Sequence, residues 1–181
     1  MAATVKVKSL TFGKPRFRKL GNVDIQFADR ITLIAGHNGI GKSTILGLVA
    51  NTFGFTERGG PKSYFGEPFY ANIERIVYLA LAEVAEAQKD IASAPVVIAS
   101  VNGVEVKKRC SMTHRSVWKR ARVVPRTVEK SADDPVGQDA KVPLPTIYLG
   151  MKRLASAGEA DEKEVASTKL EMHEHDCGGL I

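Results

Sequence analysis

Residues 36–43 read Gly36, His37, Asn38, Gly39, Ile40, Gly41, Lys42 and Ser43, and Thr44 follows. The spacing is G-x-x-x-x-G-K-S, the Walker A phosphate-binding pattern. Its chemistry depends on those residue types. The glycines let the backbone curl tightly, so that successive N–H groups converge on a di- or triphosphate. His37, Asn38 and Ile40 fill the variable positions and contribute main-chain donors, and the start of the following helix adds its positive end. Lys42 is placed to reach the β- and γ-phosphates, and the Ser43 hydroxyl is placed to ligate Mg²⁺.

Such a loop works only between a strand and a helix. The apolar, β-branched run 31–35 predicts a buried strand before it, and residues 42–51 predict a helix after it, stopped by Gly54. Earlier, Val5, Val7 and Phe12 mark one strand, and the alternation from Val23 to Phe27 marks another. Residues 57–66 read as a loop, and 73–89 as one helix with Ile76, Val77, Leu79, Ala80, Val84 and Ala87 as its apolar stripe. The period then changes. Asn102-Gly103 is a hairpin turn between strands 95–101 and 104–110, and Trp118 to Val124 reads as a third strand. Residues 131–145 are rich in proline and glycine and read as a loop; 146–150 reads as a short buried strand. The chain divides into a phosphate-loop lobe (1–93), a basic antiparallel β lobe (94–128), a loop (129–145) and a return strand with a polar C-terminal segment (146–181).

The 181 residues are 44% hydrophobic and 25% charged, the balance of a globular domain with its own core. No apolar run reaches the length of a membrane span, and the first residues lack the apolar block of a secretory signal. Cys110 and Cys177 make no disulfide framework, which points to a reducing cytoplasm. The net charge of +6 is concentrated: Lys107 to Arg126 holds eight basic residues and no acidic one. A second basic cluster comprises Lys6, Lys8, Lys14, Arg16, Arg18 and Lys19. Blocks of this kind face nucleic acid, solvent or an acidic partner. In the first block, Lys119, Arg120 and Arg122 are the candidate nucleic-acid contacts, directed at phosphate because that stretch has no Asn or Gln to read adenine.

An antiparallel strand pair running into residues 31–46 resembles the N-terminal part of ABC-type ATPase heads of the SMC, RecF and RecN group, and of the bacterial AAA-15, AAA-23 and OLD-like ATPases. In that group Asn38 and Thr44 recur. Residues 142–154 resemble a strand and loop of defence-type ATPases, with Lys152 and Arg153 where transporters carry a glutamine. The resemblance implies a P-loop α/β fold with a mixed sheet, ATP and Mg²⁺ as ligands, a second head or a C-terminal half as partner, and work on DNA in genome maintenance or phage defence. It also implies a nucleotide contact in the segment before the loop, where Phe12, Phe17 and Arg18 stand, Phe12 reads as core and Arg18 is the candidate. The signature segment and the apolar strand ending in Asp-Glu that such heads need for hydrolysis are missing. Asp161-Glu162 follows no apolar strand, and Glu83 follows one without an Asp. The expectation is the N-terminal half of an ATPase that binds nucleotide and does not hydrolyse it alone. The alternatives are a P-loop nucleotide kinase or GTPase, and a non-catalytic nucleotide-binding regulatory module. The first of these calls for few strands before the phosphate loop and an Asp-bearing partner strand or an N-K-x-D motif.

Three weaker constellations complete the set. His173, His175 and Cys177 alternate and could ligate a metal, or belong to a polar tail. Trp118 between basic residues could stack a base or fill a core. Cys110 has basic neighbours that would lower its pKa, with no paired base in sight.

Overall fold

Alternating apolar residues pull the chain into one antiparallel sheet. The computed structural model describes residues 4–55, 62, 69–71, 73, 76–91, 94–115, 120–129 and 134–148. Among them are β1 (Val5–Phe12), β2 (Val23–Gln26), α1 (Lys42–Thr52), α2 (Leu81–Lys89), β3 (Val96–Val101), β4 (Val104–Arg115) and β5 (Arg120–Thr127). The sheet order is β2-β1-β3-β4-β5, and every neighbouring pair is antiparallel. The strand that opens the basic segment therefore pairs directly with β1. The two stretches expected as a mixed-sheet lobe and a separate small lobe share one five-stranded sheet.

One face of the sheet carries the core. Leu10, Phe12, Val97, Ala99, Val101, Val106, Cys110, Met112 and Val123 are buried there against Ile45 and Leu48 of α1 and Val84 of α2. β1 reaches this face through a bulge. Its register against β3 slips between Val7 and Ser9, so Ser9 and Leu10 are buried in succession and the buried phase moves from odd to even positions. Lys108 also lies on the core face, fully covered. Its ammonium donates to Thr127 Oγ1 (2.8 Å) and to Gly137 O (2.7 Å), which fastens 134–140 beside the β4–β5 edge. Burial lowers its pKa, against the pull of Asp134 and Asp139.

Several expected elements differ. Residues 31–35 form no strand: Ile31 and Leu33 are 84% and 89% exposed, and no ladder partner for them exists among the described residues. The same holds for 146–148, where Ile147 is 65% exposed; 149–150 lie outside the described residues. The 73–89 helix begins only at Leu81. Ahead of it, Ile76 N and Val77 N close a turn onto Ile73 O (3.0 and 2.8 Å), and Glu83 Oε2 caps the helix by accepting from Ala80 N (3.1 Å). β4 runs five residues beyond the expected Cys110, because β5 pairs with it as far as Arg115. The Asn102-Gly103 turn forms with positive φ at both residues, 52° and 86°.

The C-terminal end of α1 is pinned by the 141–142 segment. Val142 N donates to Thr52 O (2.9 Å), and Gly54 N donates to Val142 O (3.0 Å). Lys141 donates to Asn51 O and to Ala71 O, and its ammonium sits 4.9 Å from the Tyr70 ring centre. Burial first, then the nearby Arg122, lowers the Lys141 pKa to about 8. Beneath α1, the buried Cys110 thiol contacts Thr52 Oγ1 at 3.6 Å, and burial raises its pKa to about 11. The basic neighbours in sequence do not activate it.

Two measurements check this packing. Gly54 has φ 118°, and a Cβ there would lie 2.3 Å from Tyr70 Cβ and 2.7 Å from Phe69 O. Gly103 has φ 86° and nothing within 4 Å of such an atom. Gly54→Ala should cost roughly 2–5 kcal/mol in urea denaturation, strain plus overpacking, against about 1–2 kcal/mol for Gly103→Ala, strain alone. Equal losses would refute the close approach. The second measurement is pH dependence. The folded Lys141 pKa of about 8 lies below the ordinary 10.5, so between those values the unfolded chain holds the extra proton and stability rises with pH. Cys110 acts oppositely above pH 9.0, because the unfolded thiol ionises before the folded one at about 11. Relative to Lys141→Met, the wild-type denaturation midpoint should rise from about pH 8 to 9 and continue rising toward 10.5; a flat difference would refute the buried ammonium.

Candidate phosphate-binding site

The N-terminal end of α1 is built to receive an anion. The helix begins at Lys42, its cap residue Gly41 has no side chain to satisfy the first N–H groups, and its first turn holds no acidic residue. Gly36, Gly39 and Gly41 all have positive φ (152°, 80° and 112°), so the loop takes the curled path that the sequence pattern demands. Residues 35–40 are exposed, as is Ser43, while Thr44 is buried in the first turn. The Lys42 ammonium folds back over the loop and donates to Gly36 O (2.7 Å) and His37 O (2.9 Å). His37, Asn38 and Ile40 lie along the open rim.

A tight turn supplies two further cations. Phe17 and Leu20 exchange backbone hydrogen bonds (2.8 and 3.0 Å) and are both buried, which fixes the two residues between them. Leu20 supports the loop from below: a Cβ on Gly41 would meet its Cδ1 at 2.9 Å. Arg18, at φ 59°, turns its guanidinium to α1, where Nη1 donates to Thr44 Oγ1 (3.2 Å). Its Nη2 donates to Glu83 Oε2 (3.0 Å) and to Tyr78 O. Lys19 points to the loop itself, its Nζ 3.6 Å from where a Gly39 Cβ would sit. Lys42, Arg18 and Lys19 thus converge on one short stretch of backbone.

Arg18, the nucleotide contact expected ahead of the loop, donates to Thr44, the residue next to Ser43. Lys19 and Glu83 were not singled out as site residues. The basic cluster containing Lys19 was the available signal; Glu83 offered only its spacing after Ala80, which is that of a helix cap. On the far side of Arg18 lies an open cleft of about 450 Å³, bordered by Phe17, Glu83, Pro95 and Met112. None of residues 36–44 lines it.

The other candidates are dispersed. Lys119 and Trp118 lie outside the described residues, as do His173, His175 and Cys177. Arg120 opens β5, opposite Arg115, and Arg122 is exposed. Among the described residues, no group of three His, Cys, Asp or Glu side chains could hold a metal ion, and no helix is long and apolar enough to cross a membrane.

A family model described as an AAA domain matches residues 16–140. No curated protein and no solved structure matches the chain.

Proposed function

The chain belongs to this AAA-domain family, of the kind found in SMC- and RecF-like ATPases, and from that premise we propose that residues 36–44 bind ATP with Mg²⁺. The observation that carries the reading is the convergence of Lys42, Arg18 and Lys19 on a positive-φ loop at an uncapped helix N-terminus. The donor set fits a polyphosphate. The loop supplies N–H groups, Lys42 can exchange two loop carbonyls for phosphate oxygens, and the exposed Ser43 hydroxyl is the metal-side ligand. The antiparallel β1–β2 pair ahead of the loop favours an ABC-type head over a nucleotide kinase or GTPase.

Hydrolysis belongs to a larger assembly. Phosphoryl transfer needs a carboxylate to hold metal or water, and Glu83, which the described residues place beside Arg18, is engaged with that guanidinium. The bare 31–35 segment supports a partner. Its apolar Ile31 and Leu33 are open, as a strand awaiting a neighbour would be, and a C-terminal half or second head would supply that strand. Heads of this type work in DNA maintenance or phage defence, and the outer sheet face supports a DNA contact. The register places Arg109 directly opposite Arg126, a like-charge pair of which Arg126 also lies 3.8 Å from Asp139, with Arg122 exposed on the same strand as Arg126.

Calorimetric titration tests the nucleotide site. Wild type should bind Mg²⁺–ATP, and Lys42→Ala should lose at least about a hundredfold in affinity, with turnover by the chain alone far below about one per second. Unchanged affinity in the variant would remove the site, and fast Lys42-dependent turnover would show a catalytic carboxylate within this chain. The DNA contact has its own test. Arg122→Glu with Arg126→Glu should weaken DNA binding by the assembled protein about tenfold or more at low salt and flatten its salt dependence, with little regard to sequence. An unaltered salt slope would leave the basic face to solvent or protein.

A further inference from the structure

Glu83 is in contact with Arg18, one of the cations gathered at the phosphate loop, and it stands on a different element, the first turn of α2. One oxygen, Oε2, accepts from both Arg18 Nη2 (3.0 Å) and Ala80 N (3.1 Å). The same guanidinium reaches Thr44 Oγ1 through Nη1. A single arginine thereby ties α2 to the first turn of α1, within one residue of the proposed metal ligand Ser43. Its side chain is mostly covered while Glu83 is about two-fifths exposed, and Arg18 Nε is buried with no partner among the described residues. The guanidinium beside the phosphate loop therefore has its charge already shared with a carboxylate.

We propose that Glu83 is a positioning residue that restrains polyphosphate binding: it holds Arg18 at the end of the phosphate loop and lowers the positive charge that the loop presents. This rests on the reading that the loop binds nucleotide. Two consequences follow from charge and geometry. Removing the charge while keeping a side-chain acceptor leaves Arg18 and the helix cap in place and makes the site more positive. The benefit grows with the charge of the ligand, so ATP gains more than ADP. A purely structural Glu83 predicts neither, because loosening α2 would weaken both ligands alike.

The experiment is calorimetric titration of the full chain with Mg²⁺–ATP and Mg²⁺–ADP at low and high salt, for wild type, Lys42→Ala, Glu83→Gln and Glu83→Asp. Gln retains the oxygen that caps Ala80; Asp retains the charge. The expected result is ATP affinity about threefold to tenfold higher in Glu83→Gln, a smaller gain for ADP, a gain that shrinks as salt is raised, and none in Glu83→Asp. ATP affinity in Glu83→Gln equal to or below wild type overturns the proposal, and so does an equal gain in Glu83→Asp, which would trace the effect to geometry. Should Glu83→Gln fail to fold, a gain in Glu83→Asp alone still overturns it, and reduced or unchanged ATP affinity there with a normal fold supports it. Failure of the underlying reading looks different: wild type itself then shows no Lys42-dependent ATP binding, and the proposal falls with it.

Discussion

Three like charges cannot be gathered at a helix N-terminus without something to hold them there. Lys42 is placed by the helix it begins, but Arg18 and Lys19 come from a turn more than twenty residues earlier. That turn stays because Phe17 and Leu20 are buried and bonded to each other, with Leu20 lying under Gly41. Arg18 closes the arrangement by reaching α1 and α2 together. The curled loop, the cap of α2 and the entry of α1 are in this sense one structure. Each depends on apolar residues filling the space below and on one guanidinium bridging the space above.

The sheet supports that arrangement from behind. α1 lies on its core face, and the buried Asn51 amide donates to Val123 O (2.9 Å), which sets the far end of the helix against β5. Lys141 and Val142 close the same end from the other side. A helix held at its C-terminus by a strand edge and at its N-terminus by an arginine has little freedom to shift along its axis. A loop that must place several N–H groups within a few tenths of an ångström gains from that fixity.

Much of this was legible because the signals are local. Gly36 to Thr44 has its glycines where the backbone needs positive φ, Asn102-Gly103 makes the turn its dipeptide demands, and alternating residues built β1, β3 and β4. What was not legible depended on the remainder of the structure. An apolar run such as 31–35 reads as a strand in any sequence, but a strand exists only with a partner to bond, and the described chain provides none. The 73–89 periodicity ignored the cap at Ala80, which only Glu83 reveals. Cys110 has basic neighbours in sequence, yet alternation sends Lys107 and Arg109 to the opposite face and leaves the thiol in the core. The bulge in β1 moved the buried phase by one residue without any glycine to announce it.

Lys108 makes a quieter arrangement. A fully buried ammonium reaches the 134–140 stretch, and what it grips there is the main-chain oxygen of Gly137. Every amino acid carries that oxygen. A Cβ at position 137 would come no closer than 3.5 Å to Ala140, an ordinary contact, so the grip survives a change of residue. At this one point the stretch is anchored by its backbone, while Val136 beside it is held by its side chain in the core. Position 137 is free to change residue while that grip is kept, and the price of that freedom falls on position 108, where no shorter side chain would span the gap.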